Sequence, residues 1–396
     1  MRTRKADAMS QDVNSRLTGD FYTAPFGPRL EPDGDTLVLN MGPQHPATHG
    51  VLRVVVELDG EYIRRAEPVL GYIHRMHEKM GEVKTWVQYL PNMGRVDYLH
   101  ALAWNWAYVG AVEKLMGIEV PPRAEYIRVI TCELNRINSH LLWWGAYLLD
   151  LGAFTPILYA FADREHIMDI LQMVTGSRLT YCYYRFGGVS GDVNDEFIRR
   201  TREFVTDFKK RLPMYRALVT DNIILRGRCE DIGVLTPEMA RRYGATGPVL
   251  RGSGVAYDVR RAEPYSVYDR LDFDIPTGRK GDVMDRYEVR MAELDQCLRI
   301  VEQALDALPT GAHIHPDLPE RFIPPKGEVY HAVEGARGKI GVYLLSDGGP
   351  KPYRVKLRAP GFSNLSLFAE LAQGTLLADA VSILGSLDLV IPEIDR

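Results

Sequence analysis

The stretch from Ala124 to Leu151 constrains this chain most. It reads as one long helix, apolar on most of its faces, with Glu133, Arg136 and His140 spaced along it. Such a helix has no broad solvent-facing stripe, so it belongs in the middle of a bundle and must be covered by others. Covering helices are at hand. Apolar residues recur at helical spacing from Asp97 to Met116, with Gly117 as a stop beyond them. Thr155 reads as an N-cap with Pro156 at the first helical position, opening a helix that runs to Gly176. Asn194 to Leu218 reads as a further helix disturbed by Pro213, and Asp282 to Leu308 as the last long one, charged on one side.

The ends of the chain read as β. Leu52 to Leu58 and Tyr62 to Ala66 flank Asp59-Gly60, a strong two-residue hairpin signal. Lys339 to Leu345 and Tyr353 to Leu357 form a second pair, joined by residues 346–350. Between Thr36–Leu39 and Leu52 lies a loop with Gly42, Pro43, Pro46 and Gly50, through which neither helix nor strand can continue. It carries His45 and His49. A stiff loop holding an imidazole at a fixed point suits a binding site, and a structural turn whose histidines satisfy backbone groups accounts for it equally well. The predicted fold class is α+β, a central helical bundle with small antiparallel β-sheets at its ends. Residues 1–35 read as an extended arm and 36–396 as one domain: a β part at 36–70, a helical core at 71–310 and an α+β part at 311–396.

Composition narrows the function. Of 396 residues, 46% are hydrophobic and 25% charged, the range of a soluble globular protein with a substantial core. A net charge of -4, with Lys and Arg spread along the chain, gives no reason to expect nucleic acid. Cys132, Cys182, Cys229 and Cys297 are far apart and form no C-x-x-C pair. That argues against a zinc ribbon, an iron–sulfur cluster held by this chain alone, or a secreted disulfide framework, and a reducing compartment is expected. Met1 to Gly27 has no apolar core and does not read as a signal peptide. The richest apolar stretch, Leu141 to Ala162, is broken by Asp150, Gly152 and Thr155-Pro156, so neither half reaches the roughly 18 to 20 residues of a membrane span.

Several polar residues stand out. Asp150, in Leu148-Leu149-Asp150-Leu151-Gly152, is costly in apolar surroundings unless donors or a cation meet it. It reads either as a cap or salt-bridge partner, or as a carboxylate that raises the proton affinity of a histidine. Asp97 and His100 open a helix, and an N-cap accounts for Asp97. Tyr98 reads either as core packing or as a phenol donating to a ligand carbonyl. Arg75 belongs to a charged surface cluster, His74-Arg75-Met76-His77-Glu78-Lys79. Arg251-Gly252-Ser253-Gly254 lacks the spacing and the lysine of a nucleotide cradle, and no Ser-His-Asp order or metalloprotease helix is present.

The run Gly42-Pro43-Gln44-His45-Pro46-Ala47-Thr48-His49-Gly50-Val51-Leu52-Arg53 closely resembles the signature of the quinone-site subunit of respiratory complex I, a family related to the large subunit of nickel–iron hydrogenases. The likeness continues through Gly71-Tyr72-Ile73-His74-Arg75, Arg95-Val96-Asp97-Tyr98, Asp150-Leu151-Gly152-Ala153, Arg185-Phe186-Gly187-Gly188-Val189 and Ser346-Asp347-Gly348-Gly349 to Glu393-Ile394-Asp395-Arg396. The resemblance implies a hydrogenase-large-subunit-like fold. It matches His49 and Tyr98 to the residues that hold the two quinone carbonyls, and Asp150 to the carboxylate paired with that histidine. Arg75 and Arg95 match arginines beside the last iron–sulfur cluster, which a neighbouring subunit holds. A guanidinium there stabilises the reduced, more negative cluster.

In the hydrogenases four cysteines bind the nickel–iron centre. The corresponding positions here are Asp97, His100, Val390 and Glu393, so the soft ligands such a centre requires are gone. The family places the quinone headgroup in the vacated space, which brings Asp388 and Val390 to the pocket wall. Many relatives carry histidine where this chain has Thr180. A threonine does not titrate there, so a cluster potential less dependent on pH is expected. The segment from Leu308 to Pro324 is shorter than in many relatives, and Leu389-Val390-Ile391-Pro392 departs from their usual pattern.

The expected function is quinone reduction within a proton-pumping NADH–quinone oxidoreductase. No metal or cofactor is expected on this chain alone, with quinone as substrate and the iron–sulfur cluster in a neighbouring subunit. Expected partners are that iron–sulfur subunit, other peripheral-arm subunits and a membrane-arm subunit at the quinone tunnel. The expected place is the cytoplasmic side of the membrane, held there by the complex. Alternatives are a related complex fed by reduced deazaflavin or ferredoxin, a non-catalytic scaffold, and a hydrogenase large subunit.

Overall fold

The computed structural model describes residues 36–44 and 50–396. The expected central helix runs from Pro122 to Asp150, and most of its residues are buried. A proline in the first turn forfeits no intrahelical bond, so Pro121-Pro122 ends the loop and opens the helix together. Helices Ala101–Met116, Thr155–Thr175 and Val283–Asp306 pack against it, and Asp195–Tyr215 covers the last two.

Three helix boundaries differ from the sequence reading. The helix expected from Asp97 starts at Ala101, because the Asp97 carboxylate caps the turn ahead of it: Oδ1 accepts the N–H of Leu99 at 2.9 Å and of His100 at 3.2 Å. Thr155 lies inside its helix and makes no cap bond. Gly152 and Ala153 already donate back to the carbonyls of Leu149 and Leu148, at 2.9 and 2.8 Å, and close the turn without it. After Pro213 the helix widens into a π turn, Arg216–Thr220, instead of continuing as α.

The first sheet has strands β1 (Leu37–Met41), β2 (Arg53–Asp59) and β3 (Tyr62–Val69), all antiparallel. Its hairpin falls at Asp59-Gly60, with Asp59 opposite Tyr62. The second sheet, β4 (Gly327–Gly335), β5 (Gly338–Ser346) and β6 (Arg354–Arg358), contains a strand that the apolar pattern does not announce. In β4 the buried face ends on Glu334, a charge with no solvent exposure, so the strand does not alternate as an apolar one does. Helix Ala101–Met116 packs on β4 and β5, and one continuous core runs from Leu52 to Ile394.

That core is laced with charge. Arg260 bridges Glu133 at 3.1 Å and Asp258 at 2.7 Å. Arg251 bridges Glu334 at 2.8 Å and Glu293, and Glu293 in turn meets His140 Nε2 at 2.9 Å. Burial alone raises Glu133, but Arg136 and Arg260 outweigh it and hold the carboxyl at about 2. The helix Val283–Asp306, expected to be charged on one side only, therefore carries charge inward as well. Arg286, Arg290 and Glu293 are all buried, and Glu293 is met from other elements.

Candidate functional site

Three segments far apart in sequence converge beneath Tyr98. The first is the loop before helix Ala101–Met116. Asn135 of the central helix fixes it, donating to Leu99 O at 2.9 Å and accepting from Leu102 N at 3.2 Å. The second is the tight turn Ala336-Arg337 between β4 and β5. Ala336 donates its N–H to His100 Nδ1 at 2.9 Å, so the ring's proton sits on Nε2, 3.1 Å from Cys132 O. Burial, and next the charge of Arg136, keep His100 well below its usual pKa, and it is neutral. The third is the chain end, where Asp388 adopts a left-handed φ of 54° after helix Leu377–Ser386.

These segments meet through Arg337. Its Nη1 is 2.7 Å from Asp97 Oδ2, and its Nη2 is 3.3 Å from both Asp388 Oδ1 and Ser139 Oγ. Arg290 approaches the other Asp388 oxygen at 3.9 Å and lays its guanidinium on the Trp143 ring, 4.4 Å from its centre. Burial lowers Arg337's pKa, but Asp388 and Asp97 outweigh it and hold it above the usual arginine value. For Asp97 full burial outweighs the guanidinium and leaves the carboxyl above its ordinary range. Glu393, also fully buried, accepts the Gly361 N–H at 2.8 Å. Burial and then Asp97 push its pKa up to about 8, so at neutral pH it holds its proton.

Tyr98 is the outward-facing member, 38% exposed. Burial and the Asp97 charge raise its phenol pKa, so it is a proton-bearing donor rather than a phenolate. The cluster beneath can hold a proton on Glu393.

Of the other expected site residues, His49 lies outside the described residues. Asp150 is half-buried at the end of the central helix, not enclosed in apolar surroundings, because the chain turns at the surface there. Beside it opens a groove of about 430 Å³ lined by Leu151, Phe154, Leu218 and Ile224 among others. Asp388 and Val390 are buried, 3% and 2% exposed. Arg75 and Arg95 are exposed and joined, Arg75 Nη2 donating to Arg95 O at 2.8 Å. Thr180 is close by: a Cβ on Gly94 would stand 2.6 Å from Tyr181 O and 3.2 Å from Thr180 O. Thr180 itself has a φ of 49°, which a β-branched residue rarely adopts. The structure places Tyr98 above the cluster that holds Asp388, and the sequence reading misses Arg337. Its signal is the tight turn Gly335-Ala336-Arg337-Gly338, where the backbone of Gly338 at φ 131° packs on Thr246 and Gly247.

The residues do not fit a nickel–iron group. Two carboxyl groups, an imidazole and an isopropyl group stand at 97, 393, 100 and 390, and no thiol is among them. Asp97 is already tied to Arg337, and both His100 ring nitrogens are taken by backbone. Fold and site thus define an α+β protein of hydrogenase-large-subunit type without the ligand set for nickel.

Residues 150–321 and 313–396 match the family described as respiratory-chain NADH dehydrogenase, 49 Kd subunit. An NADH-quinone oxidoreductase subunit of Desulfotalea psychrophila is 60% identical over 367 residues, 93% of this chain and 98% of that protein. The subunit of the same name from Syntrophobacter fumaroxidans is 59% identical over 358 residues (90% and 96%), and that from Geobacillus thermodenitrificans 48% over 361 residues (91% and 99%). The chain belongs to the 49 Kd subunit family of respiratory-chain NADH dehydrogenases.

Proposed function

We propose that this chain forms the quinone-reduction site of a proton-pumping NADH–quinone oxidoreductase, with Tyr98 and His49 as donors to the two quinone carbonyls. The observation that carries the reading is Tyr98, a part-exposed phenol with raised proton affinity, seated over the buried Asp97–Arg337–Asp388 cluster. The phenol hydrogen-bonds one carbonyl and delivers a proton as the quinol forms, while the cluster holds the charge balance beneath it. Asp388 and Val390 back the pocket from inside. His49 donates to the opposite carbonyl, with Asp150 as its carboxylate partner.

Electrons come one at a time from an iron–sulfur cluster in a neighbouring subunit. Arg75, Arg95 and Thr180 form the face turned toward it, and no cofactor is held by this chain alone. The exposed apolar residues Phe154, Leu158, Ile223 and Ile224, 65%, 59%, 84% and 68% exposed, flank the groove beside Asp150 and suit a membrane-arm partner. No helix among the described residues is long and apolar enough to cross a membrane. The complex holds the subunit on the cytoplasmic side. The names of the matched relatives favour NADH as electron source over reduced deazaflavin or ferredoxin.

Replacing Tyr98 by Phe, or His49 by Ala, tests the reading. Quinone reduction is expected to fall about 10²- to 10⁴-fold on loss of a positioned proton donor, with NADH-driven reduction of the upstream clusters unchanged. Full turnover in both variants would contradict it, and a non-catalytic scaffold would then remain.

A further inference from the structure

The chain ends as a clamp. Helix Ile391–Asp395 sets Asp395 against residues 70–76, a segment with neither helix nor strand structure. Asp395 Oδ1 accepts the Gly71 N–H at 3.0 Å and Oδ2 the Ile73 N–H at 2.9 Å. Its carbonyl oxygen lies 2.7 Å from His74 Nδ1, which must therefore be the protonated ring nitrogen. Arg396 anchors the terminus in turn, donating to Leu357 O at 3.2 Å and lying over the Phe362 ring at 4.5 Å. Within the clamped segment the only backbone bond among the described residues is His74 N to Gly71 O at 3.2 Å. Gly71, at φ 112°, has open space around its Cβ position, so packing does not hold it there. The next side chain, Arg75, reaches the loop that carries Asp97 and Tyr98 by its bond to Arg95 O.

We propose that Asp395 is a positioning residue for electron delivery. Its carboxylate fixes the 70–76 segment, and the fixed segment holds the Arg75 guanidinium against the Arg95 carbonyl, while the Arg95 guanidinium is held separately by Pro91 O at 2.5 Å. The inference rests on the reading above that these two arginines face the iron–sulfur subunit. The same short stretch, 388–396, also supplies Asp388 and Glu393 to the cluster under Tyr98. One segment therefore supports both the electron-entry face and the quinone side.

The test uses the assembled complex with Asp395→Ala, Asp395→Asn, Arg75→Gln and the double variant Asp395→Ala with Arg75→Gln. In Asp395→Ala, amide hydrogen exchange at Gly71 and Ile73 is expected to rise about tenfold or more, since two carboxylate-held N–H groups are released. The midpoint potential of the partner's terminal cluster, followed by electron paramagnetic resonance, is expected to fall, because the reduced cluster loses a fixed cation. Asp395→Asn keeps one acceptor oxygen and falls between. Arg75→Gln lowers the potential with exchange at 71 and 73 unchanged, and the double variant shows no further drop, as expected of residues acting in series. Unchanged exchange in Asp395→Ala, or faster exchange at an unchanged potential while Arg75→Gln still lowers it, overturns the clamp alone. No change in potential in Arg75→Gln overturns the placement of the arginine, and the clamp's role with it.

Discussion

Glu393→Gln isolates the proton that the buried cluster holds. Glu393 is fully buried, one oxygen accepts the Gly361 N–H at 2.8 Å, and the other has no hydrogen-bond partner among the described residues. Burial and Asp97 raise its pKa from 4.5 to about 8. For an acid raised in the folded state the cost is absent below the unfolded value. It then grows by about 1.4 kcal/mol per pH unit and levels off above the folded value. At pH 7 that amounts to about 3 kcal/mol of folding stability lost relative to acid pH. Glutamine has the shape of the neutral acid, keeps the bond to Gly361 through its amide oxygen, and does not titrate. The variant should therefore gain about 3 kcal/mol on the parent between acid pH and pH 7. The assay is the thermal midpoint of the complex from about pH 5 to about pH 9, read beside the infrared carbonyl stretch of a protonated carboxyl group. Parallel pH profiles in the two proteins, or no band lost at neutral pH in the variant, would refute the reasoning.

Arg337→Met leaves Asp97 and Asp388 buried without their shared cation. It should cost about 3 to 5 kcal/mol, seen as lost assembly of the complex, and the loss should deepen as pH rises because Asp97, whose carboxyl pKa burial already raises, then needs a proton to stay buried. Gly94→Ala places a methyl group 2.6 Å from Tyr181 O. It should destabilise by about 1 to 3 kcal/mol and increase protease cleavage near Thr180. Thr180→His should give the partner's terminal cluster a pH-dependent potential where the parent's varies less; a parent slope near one proton per electron would contradict this.

Much of the architecture is legible in the residues because it follows from burial and local chemistry. Gly117 and Asp59-Gly60 set boundaries that depend only on backbone geometry, and those boundaries hold. Ala124 to Leu151 goes to the centre because no face of it suits water. Strand β4 is not legible, since the Glu334 at its end is buried by virtue of Arg251, a partner 83 positions away in sequence. The inward charges of helix Val283–Asp306 escape notice for the same reason: an ion pair completed across the fold looks like a surface pattern along the chain. Arg337 is the clearest case. A turn arginine reads as solvent-facing until Asp97 and Asp388 are seen to close around it. Asp150 errs the other way, because its apolar sequence neighbours suggest more burial than it has where the central helix reaches the surface.

The most direct test of the quinone-site assignment is photoaffinity labelling of the intact complex with a quinone bearing a photoreactive headgroup. The account predicts modification within Arg95–His100, centred on Tyr98, and its loss in competition with unlabelled quinone. Competable labelling confined to segments away from Tyr98 would contradict it.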